Sequence, residues 1–197
     1  MIITVQSSLE NLQTITNSNQ SDTNSNSTTI QYESLVIEGL GIILEYPSKW
    51  EARAFTPDYF VAYPNRDQYE NIIFGTDFKI QDHGKTPFNN LEVLTRMEAV
   101  SALEFSFADN ADYQLIETPT TNKYNIDGEK ADAFSYKRIY SFGTFYVEEI
   151  VLIRDGKFFD FQFTYKEGDF DKDYINQIKD HMFNSIRWVT KENISLQ

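Results

Sequence analysis

The sequence predicts an α+β fold, a three-layer α/β/α sandwich built round a central antiparallel sheet. Three observations predict it. Runs of alternating apolar and polar residues follow one another through Gly-containing turns, the pattern of half-buried strands joined by hairpins. One run, Ile150-Val151-Leu152-Ile153, is apolar at every position and so requires cover on both faces. Two longer stretches repeat apolar residues at helical spacing and supply the outer layers.

Residues 35–38 and 42–46 open the domain as two short strands, the second stopped by Pro47, with Trp50 just beyond. Residues 60–63 and 71–81 are the next strands. In the latter Ile72, Phe74, Phe78 and Ile80 fall on one face at a period of two. Residues 90–107 read as the first helix, with Asn89 or Asn90 as its cap. Its apolar stripe is Val93, Met97, Val100, Leu103 and Phe107, with Leu94 beside it, and that stripe is expected to face the core.

Asp127-Gly128 signals a hairpin before a strand at 130–140. Ser141-Phe142-Gly143 turns into a strand at 144–154, and Asp155-Gly156 into one at 157–166, where Phe159, Phe161, Phe163 and Tyr165 share a face. A second helix spans 171–185 with the stripe Ile175, Ile178, Met182 and Ile186, and a short strand follows at 186–189.

Residues 1–29 are expected to stand apart as a disordered Ser/Thr/Asn-rich tail or stalk. In the stretch from Thr14 to Thr29, 13 of 16 residues are Ser, Thr or Asn, too polar to offset the entropy of ordering. The folded domain is then 30–190, and 191–197 a flexible C-terminus. A stalk of this kind suits a domain secreted or anchored through a segment upstream of the chain. Asn19, Asn26 and Asn193 begin N-x-S/T triplets, of which the first two follow simply from the Asn and Ser content.

The formal charge is −13, and only Glu10 and Asp22 fall in the first 29 residues, so the domain itself is acidic. Nucleic acid and anionic lipid are poor partners for it, because binding them takes basic side chains that displace counterions. A basic protein suits it better. With no cysteine there is no disulfide, thiolate nucleophile or Cys-ligated metal. No apolar run is long enough for a transmembrane helix.

The sequence offers no catalytic or cofactor-binding residue with recognisable spacing. Gly84-Lys85-Thr86 has Lys79 where a phosphate loop needs its first Gly, and Gly39-Leu40-Gly41 lacks the third Gly and the helix of a dinucleotide fingerprint. His83 in a loop and His181 on the second helix share no ligand-like spacing. Glu148 and Glu149 are adjacent on a strand and point to opposite faces, where hairpin geometry sets them near Lys137 or Arg138 as cross-strand ion pairs. Asp169, Asp171 and Asp173 alternate like the start of a calcium loop. Tyr174 stands where that loop requires Gly, so capping and the helix dipole account for these acids better than calcium does. Tyr59, Tyr63, Tyr69 and Phe142 are candidates for a contact patch or for strand cover.

Two blocks resemble PsbP-like domains. GLGIILEYPSKWE is similar to the family's opening strand, which ends in Y-P-x-x-W. EEIVLIRDGKFFDFQFTYKEGDFDKDYINQIKDHMFNSIRW is similar to its closing block of strand, D/N-G turn, aromatic strand, amphipathic helix and last short strand. The resemblance runs from about residue 35 to 190 and is thin in the middle. It implies the PsbP-like α/β/α fold and a non-enzymatic, extracytoplasmic accessory protein, as in the extrinsic photosystem II subunits that help retain calcium and chloride. A nuclear-transport factor that binds a small GTPase shares that fold. The expected function is therefore a non-catalytic protein-binding module outside the cytoplasmic membrane, its partner basic or membrane-associated. The alternatives are an enzyme with a carboxylate-based site assembled from scattered residues, and a cytoplasmic protein-binding domain of the same fold.

Overall fold

A computed structural model describes residues 29–64, 75–104 and 111–189. The stalk stretch, Asn19, Asn26, Asn193, Tyr69, Ile72, Phe74, Phe107 and the side chain of Leu103 lie outside the described residues.

Among the described residues, ten strands and two helices run in the order β1 (Tyr32–Ile37), β2 (Ile42–Pro47), β3 (Trp50–Thr56), β4 (Tyr59–Pro64), β5 (Asp77–Lys85), α1 (Leu91–Glu104), β6 (Asp112–Ile126), β7 (Glu129–Tyr140), β8 (Gly143–Arg154), β9 (Lys157–Lys166), α2 (Lys172–Ser185) and β10 (Arg187–Trp188). Seven strands form one sheet in the order β3-β4-β5-β9-β8-β7-β6, and β1-β2-β10 form a second. Every pairing among these strands is antiparallel.

The hairpin signals hold. Asp127-Gly128 and Asp155-Gly156 both have positive φ at both positions, as the tightest antiparallel turn demands. They fix the registers Ile126↔Glu129 and Arg154↔Lys157. At Gly39 the requirement is space. A methyl there would overlap the Pro57 carbonyl, because the β1–β2 turn packs directly on the β3–β4 turn.

The main core lies on one face of the large sheet. Phe159, Phe161 and Phe163 of β9, Ile150 and Leu152 of β8, and Phe78 and Ile80 of β5 are buried beneath Ile175, Ile178, Met182 and Phe183 of α2. Ile42 and Leu44 of β2 join the same cluster, so the small sheet shares this side with α2. The even-numbered face of β9 and odd-numbered face of β8 carry Phe158, Val147 and Val151, which pack with Leu94 and Ala99 of α1 in two smaller clusters.

 Ala99 is the innermost α1 residue of the first of these, and Leu94 of the second.

Two differences from the sequence expectations matter for function. The first concerns strands: β3 and the long β6 are edge strands whose residues are mostly exposed, so neither carries the alternation that marks a half-buried strand. The second concerns α1. Leu94, Thr95 and Ala99 are its buried residues, whereas Val93, Met97 and Val100, expected to face the core, are 43%, 45% and 54% exposed. The inner face must sit over buried polar groups of the sheet. Thr95 Oγ1 lies 3.3 Å from Asp132 Oδ2, a carboxylate that also accepts from the Asn122 amide at 2.8 Å. A small hydroxyl fits there and a wide apolar side chain does not.

Candidate functional site

Both sides of α1 hold groups that the fold does not use up. On the outer side, Val93, Met97 and Val100 fall at helical spacing on one solvent-facing stripe. Asn90 caps the helix, its Oδ1 accepting from the Val93 amide at 3.2 Å. Leu115 of the edge strand β6, on the sheet face that carries Tyr113, is 37% exposed. Arg96, on the same exposed side of the helix, is paired with Glu92 at 2.7 Å.

On the inner side, a cleft of about 310 Å³ separates the C-terminal half of α1 from the sheet. Glu98, Ser101 and Ala102 form its helix wall, and β6 to β9 supply the floor. Arg138 Nη2 donates to the Tyr136 hydroxyl at 2.9 Å and to Gln162 Oε1 at 3.4 Å. Glu149 Oε2 in turn accepts from Gln162 Nε2 at 3.3 Å and from the Tyr136 hydroxyl at 3.4 Å. The guanidinium also lies over the rings of Tyr136 and Tyr113, 5.4 and 6.0 Å from their centroids.

Electrostatics follow from this burial. Burial, and then the charge of Glu98, push the Glu149 carboxyl up to about 7, against the pull of Gln162 and Arg138. Burial also raises Asp160, with Glu149 and Glu98 acting in the same direction. Glu98 is raised by burial. Asp77, one strand further, is raised by burial although Lys79 Nζ lies 3.0 Å from its Oδ2.

The residues singled out in the sequence fall in several places. Glu148 and Glu149 do point to opposite faces, and Arg138 does lie near Glu149, where its charge acts on the carboxyl, but the expected cross-strand ion pairs are corrected. Glu148 pairs with Lys179 of α2 and, at 3.1 Å, with Lys123 of β6, and accepts from Tyr124. The register sets Ser135 opposite Glu148 and Phe134 opposite Glu149, so neither Lys137 nor Arg138 is a directly opposed ion-pair partner. Asp171 is the N-cap of α2, its Oδ1 accepting from the amides of Asp173 and Tyr174 at 3.0 and 3.1 Å. Among the described residues no group of three or more His, Asp or Glu side chains converges as a metal site would require. His83 stacks on Phe158, and burial lowers its pKa. His181 stacks on Tyr32 and bonds Glu45 at 2.7 Å. Tyr63 donates to Glu51, Tyr59 is half-buried, and Phe142 is exposed while stacking on Tyr140. The cleft residues Tyr136, Asp160 and Gln162 were not singled out, since they meet only through the sheet register.

The order of strands and helices can be set beside known structures. A solution structure of cyanobacterial PsbP (CyanoP) from Synechocystis sp. superposes with a TM-score of 0.54 at 13% identity, over 85% of this chain and 98% of that one. The chain has a PsbP-like fold. The PsbP-like resemblance of the two end blocks is therefore carried by the three-dimensional structure as well. A crystal structure of a Bacteroides thetaiotaomicron protein matches with a TM-score of 0.49 at 12% identity, and this chain spans half (50%) of that one. No protein-family model and no curated protein matches the sequence. Among the described residues no helix is long and apolar enough to cross a membrane.

Proposed function

We propose that this PsbP-like chain is a non-catalytic accessory module that binds a protein partner through the outer stripe of α1. The observation that carries the reading is the exposure of Val93, Met97 and Val100 together on one helix face. A helix normally turns its apolar stripe inward, and an outward one is a surface for docking. The occupant is a protein segment with an apolar centre and a basic rim. The charge of −13 favours it and steers it, while repelling a second copy of the same chain. The setting is extracytoplasmic, in keeping with the polar stalk composition and with what the PsbP-like resemblance implies. The architecture is read as the three-layer α/β/α sandwich of PsbP-like domains, supported by the packing of α1 and α2 on opposite faces of the large sheet.

The test uses the full chain and a synthetic amphipathic helix with a leucine face and a lysine rim. It should bind the wild type, more weakly as salt rises, since exposed charges are screened beyond about 8 Å at physiological ionic strength. Met97→Asp with Val100→Asp should abolish binding without unfolding the domain. Equal binding by wild type and variant would sink the proposal.

The inner cleft favours a second reading, an enzyme with a carboxylate-based site. A carboxyl titrating near 7 is suited to general acid–base work. A saturable turnover that is lost in Glu149→Gln, with the fold intact, would establish that reading over the first.

A further inference from the structure

We infer that the cleft beneath α1 binds a small zwitterion, with an ammonium and a carboxylate a few bonds apart, the chemistry of a free amino acid. The inference goes beyond protein docking, since it concerns the opposite side of the helix.

Two buried atoms in the cleft wall have no hydrogen-bond partner among the described residues, and their demands are opposite. Arg138 Nε is a donor without an acceptor, and Asp160 Oδ1 is an acceptor without a donor. Buried polar atoms are nearly always satisfied, because an unmet one keeps its full desolvation cost. Both belong to side chains that line the same space. A group that accepts at one end and donates at the other answers both.

The charges of the wall narrow the choice. Glu98, Glu149 and Asp160 line the cleft against the single guanidinium of Arg138. A simple anion would meet Arg138 but face three acids. A simple cation would relieve the acids but leave Arg138 Nε unanswered. A metal ion does not suit the donor set, since the carboxylates do not converge. A zwitterion sets its carboxylate on Arg138 and its ammonium on Asp160, beside Glu149.

The shape agrees with a small ligand. The cleft holds about 310 Å³, and Ser101 and Ala102 keep the helix wall low. Tyr113 and Tyr136, stacked with centroids 5.7 Å apart, hold the guanidinium plane in place. The acids are raised by burial and by one another, so an ammonium arriving beside them drives them to ionise. Binding should therefore release protons and tighten as pH rises.

Calorimetric titration of the full chain tests this, with glycine, L-alanine and γ-aminobutyrate as zwitterions of two spacings, and acetate and methylammonium as half-ligands. At least one zwitterion should bind about tenfold or more tightly than either half-ligand, as expected for two charge-assisted bonds made together. Its affinity should rise from about pH 6 to about pH 8, with heats that depend on the buffer's ionisation enthalpy. Arg138→Met and Asp160→Asn, checked for folding by circular dichroism, should each weaken it about tenfold or more. Should either fail to fold, Ser101→Trp fills the cleft from the helix and should abolish binding. No heat with any of the three zwitterions, equal affinity for a half-ligand, or unchanged binding in Ser101→Trp would overturn the inference.

Discussion

Glu148 and Glu149 are chain neighbours on β8 that leave the sheet on opposite faces, and their acidities shift in opposite directions. Beneath α2, burial would raise Glu148, but the bonds and charges of Lys179, Tyr124 and Lys123 outweigh it and hold its carboxyl below the usual value. Beneath α1, burial and the charge of Glu98 dominate, and Glu149 is raised. One peptide bond thus separates a carboxylate that serves as a structural anion from one kept poised to take a proton.

Glu148→Gln should destabilise the domain by about 1–3 kcal/mol at neutral pH, because it leaves two half-buried ammonium groups without their shared anion. The folded-state pKa is lowered, so this stabilisation is present above the unfolded value of about 4.3 and is lost as pH falls through the folded one. Urea denaturation should show the gap between wild type and variant at about pH 7 and its closing toward about pH 3. A gap that does not change with pH would show that the charge of Glu148 is not its source.

Glu149→Gln should do the opposite. The folded state holds a proton on the raised carboxyl that the unfolded state has released, so wild-type stability falls as pH rises from about 4.3 to about 7. The cost at the top of that window is on the order of 3 kcal/mol, and Asp160, raised by burial and by Glu149, adds to it in the same direction. The amide keeps an oxygen to accept from Gln162 and Tyr136. Unfolding midpoints for the variant should therefore be flatter across this window and no lower than wild type at about pH 8. A variant less stable than wild type at every pH would refute the assignment.

The two sides of α1 should separate by mutation. Leu94→Ala removes a buried side chain packed on Val151 and Phe158 and should cost about 2–4 kcal/mol. Val100→Ala and Met97→Ala change exposed positions and should fall within about 0.5 kcal/mol of wild type. Equal losses at inner and outer positions would mean that the helix is rotated from the orientation described.

How much of this was legible in the sequence depends on the distance over which the signal acts. β9, α2 and the Asp-Gly hairpins were legible because a period of two, a period near 3.6 and a positive-φ turn are local. β3 and β6 were not, since an edge strand with both faces largely exposed has no burial period to display. The same reasoning misplaced the face of α1. Its most apolar stripe predicts an inner face at Val93, Met97 and Val100, but the helix seats Thr95 and Glu98 over polar sheet residues. The cleft itself was hidden by its strongest clue. Asp160 and Gln162 alternate with phenylalanines along β9, which reads as an ordinary solvent-facing row. Only the register of β7, β8 and β9 brings that row beside Glu149 and within reach of Arg138.

The acidic alternation before α2 provides the last test. Asp171 Oδ1 accepts from two amides at the helix start, which satisfies donors that the helix cannot pair itself. The carboxylate also faces the positive end of the helix dipole. Asp171→Ala should therefore cost about 1 kcal/mol, while Asp171→Asn and Asp171→Ser, which keep a capping oxygen, should cost less. If the cap is the whole role, millimolar calcium should leave the melting temperature of the wild type unchanged. A folded-state calcium site at 100 times its dissociation constant would instead add about 2.7 kcal/mol, a shift of several degrees. A calcium-dependent rise that disappears when Asp169 and Asp171 are both changed to Asn would show that these acids bind a cation as well as cap a helix. With Asn retained as a cap, the loss could not be ascribed to a frayed helix start.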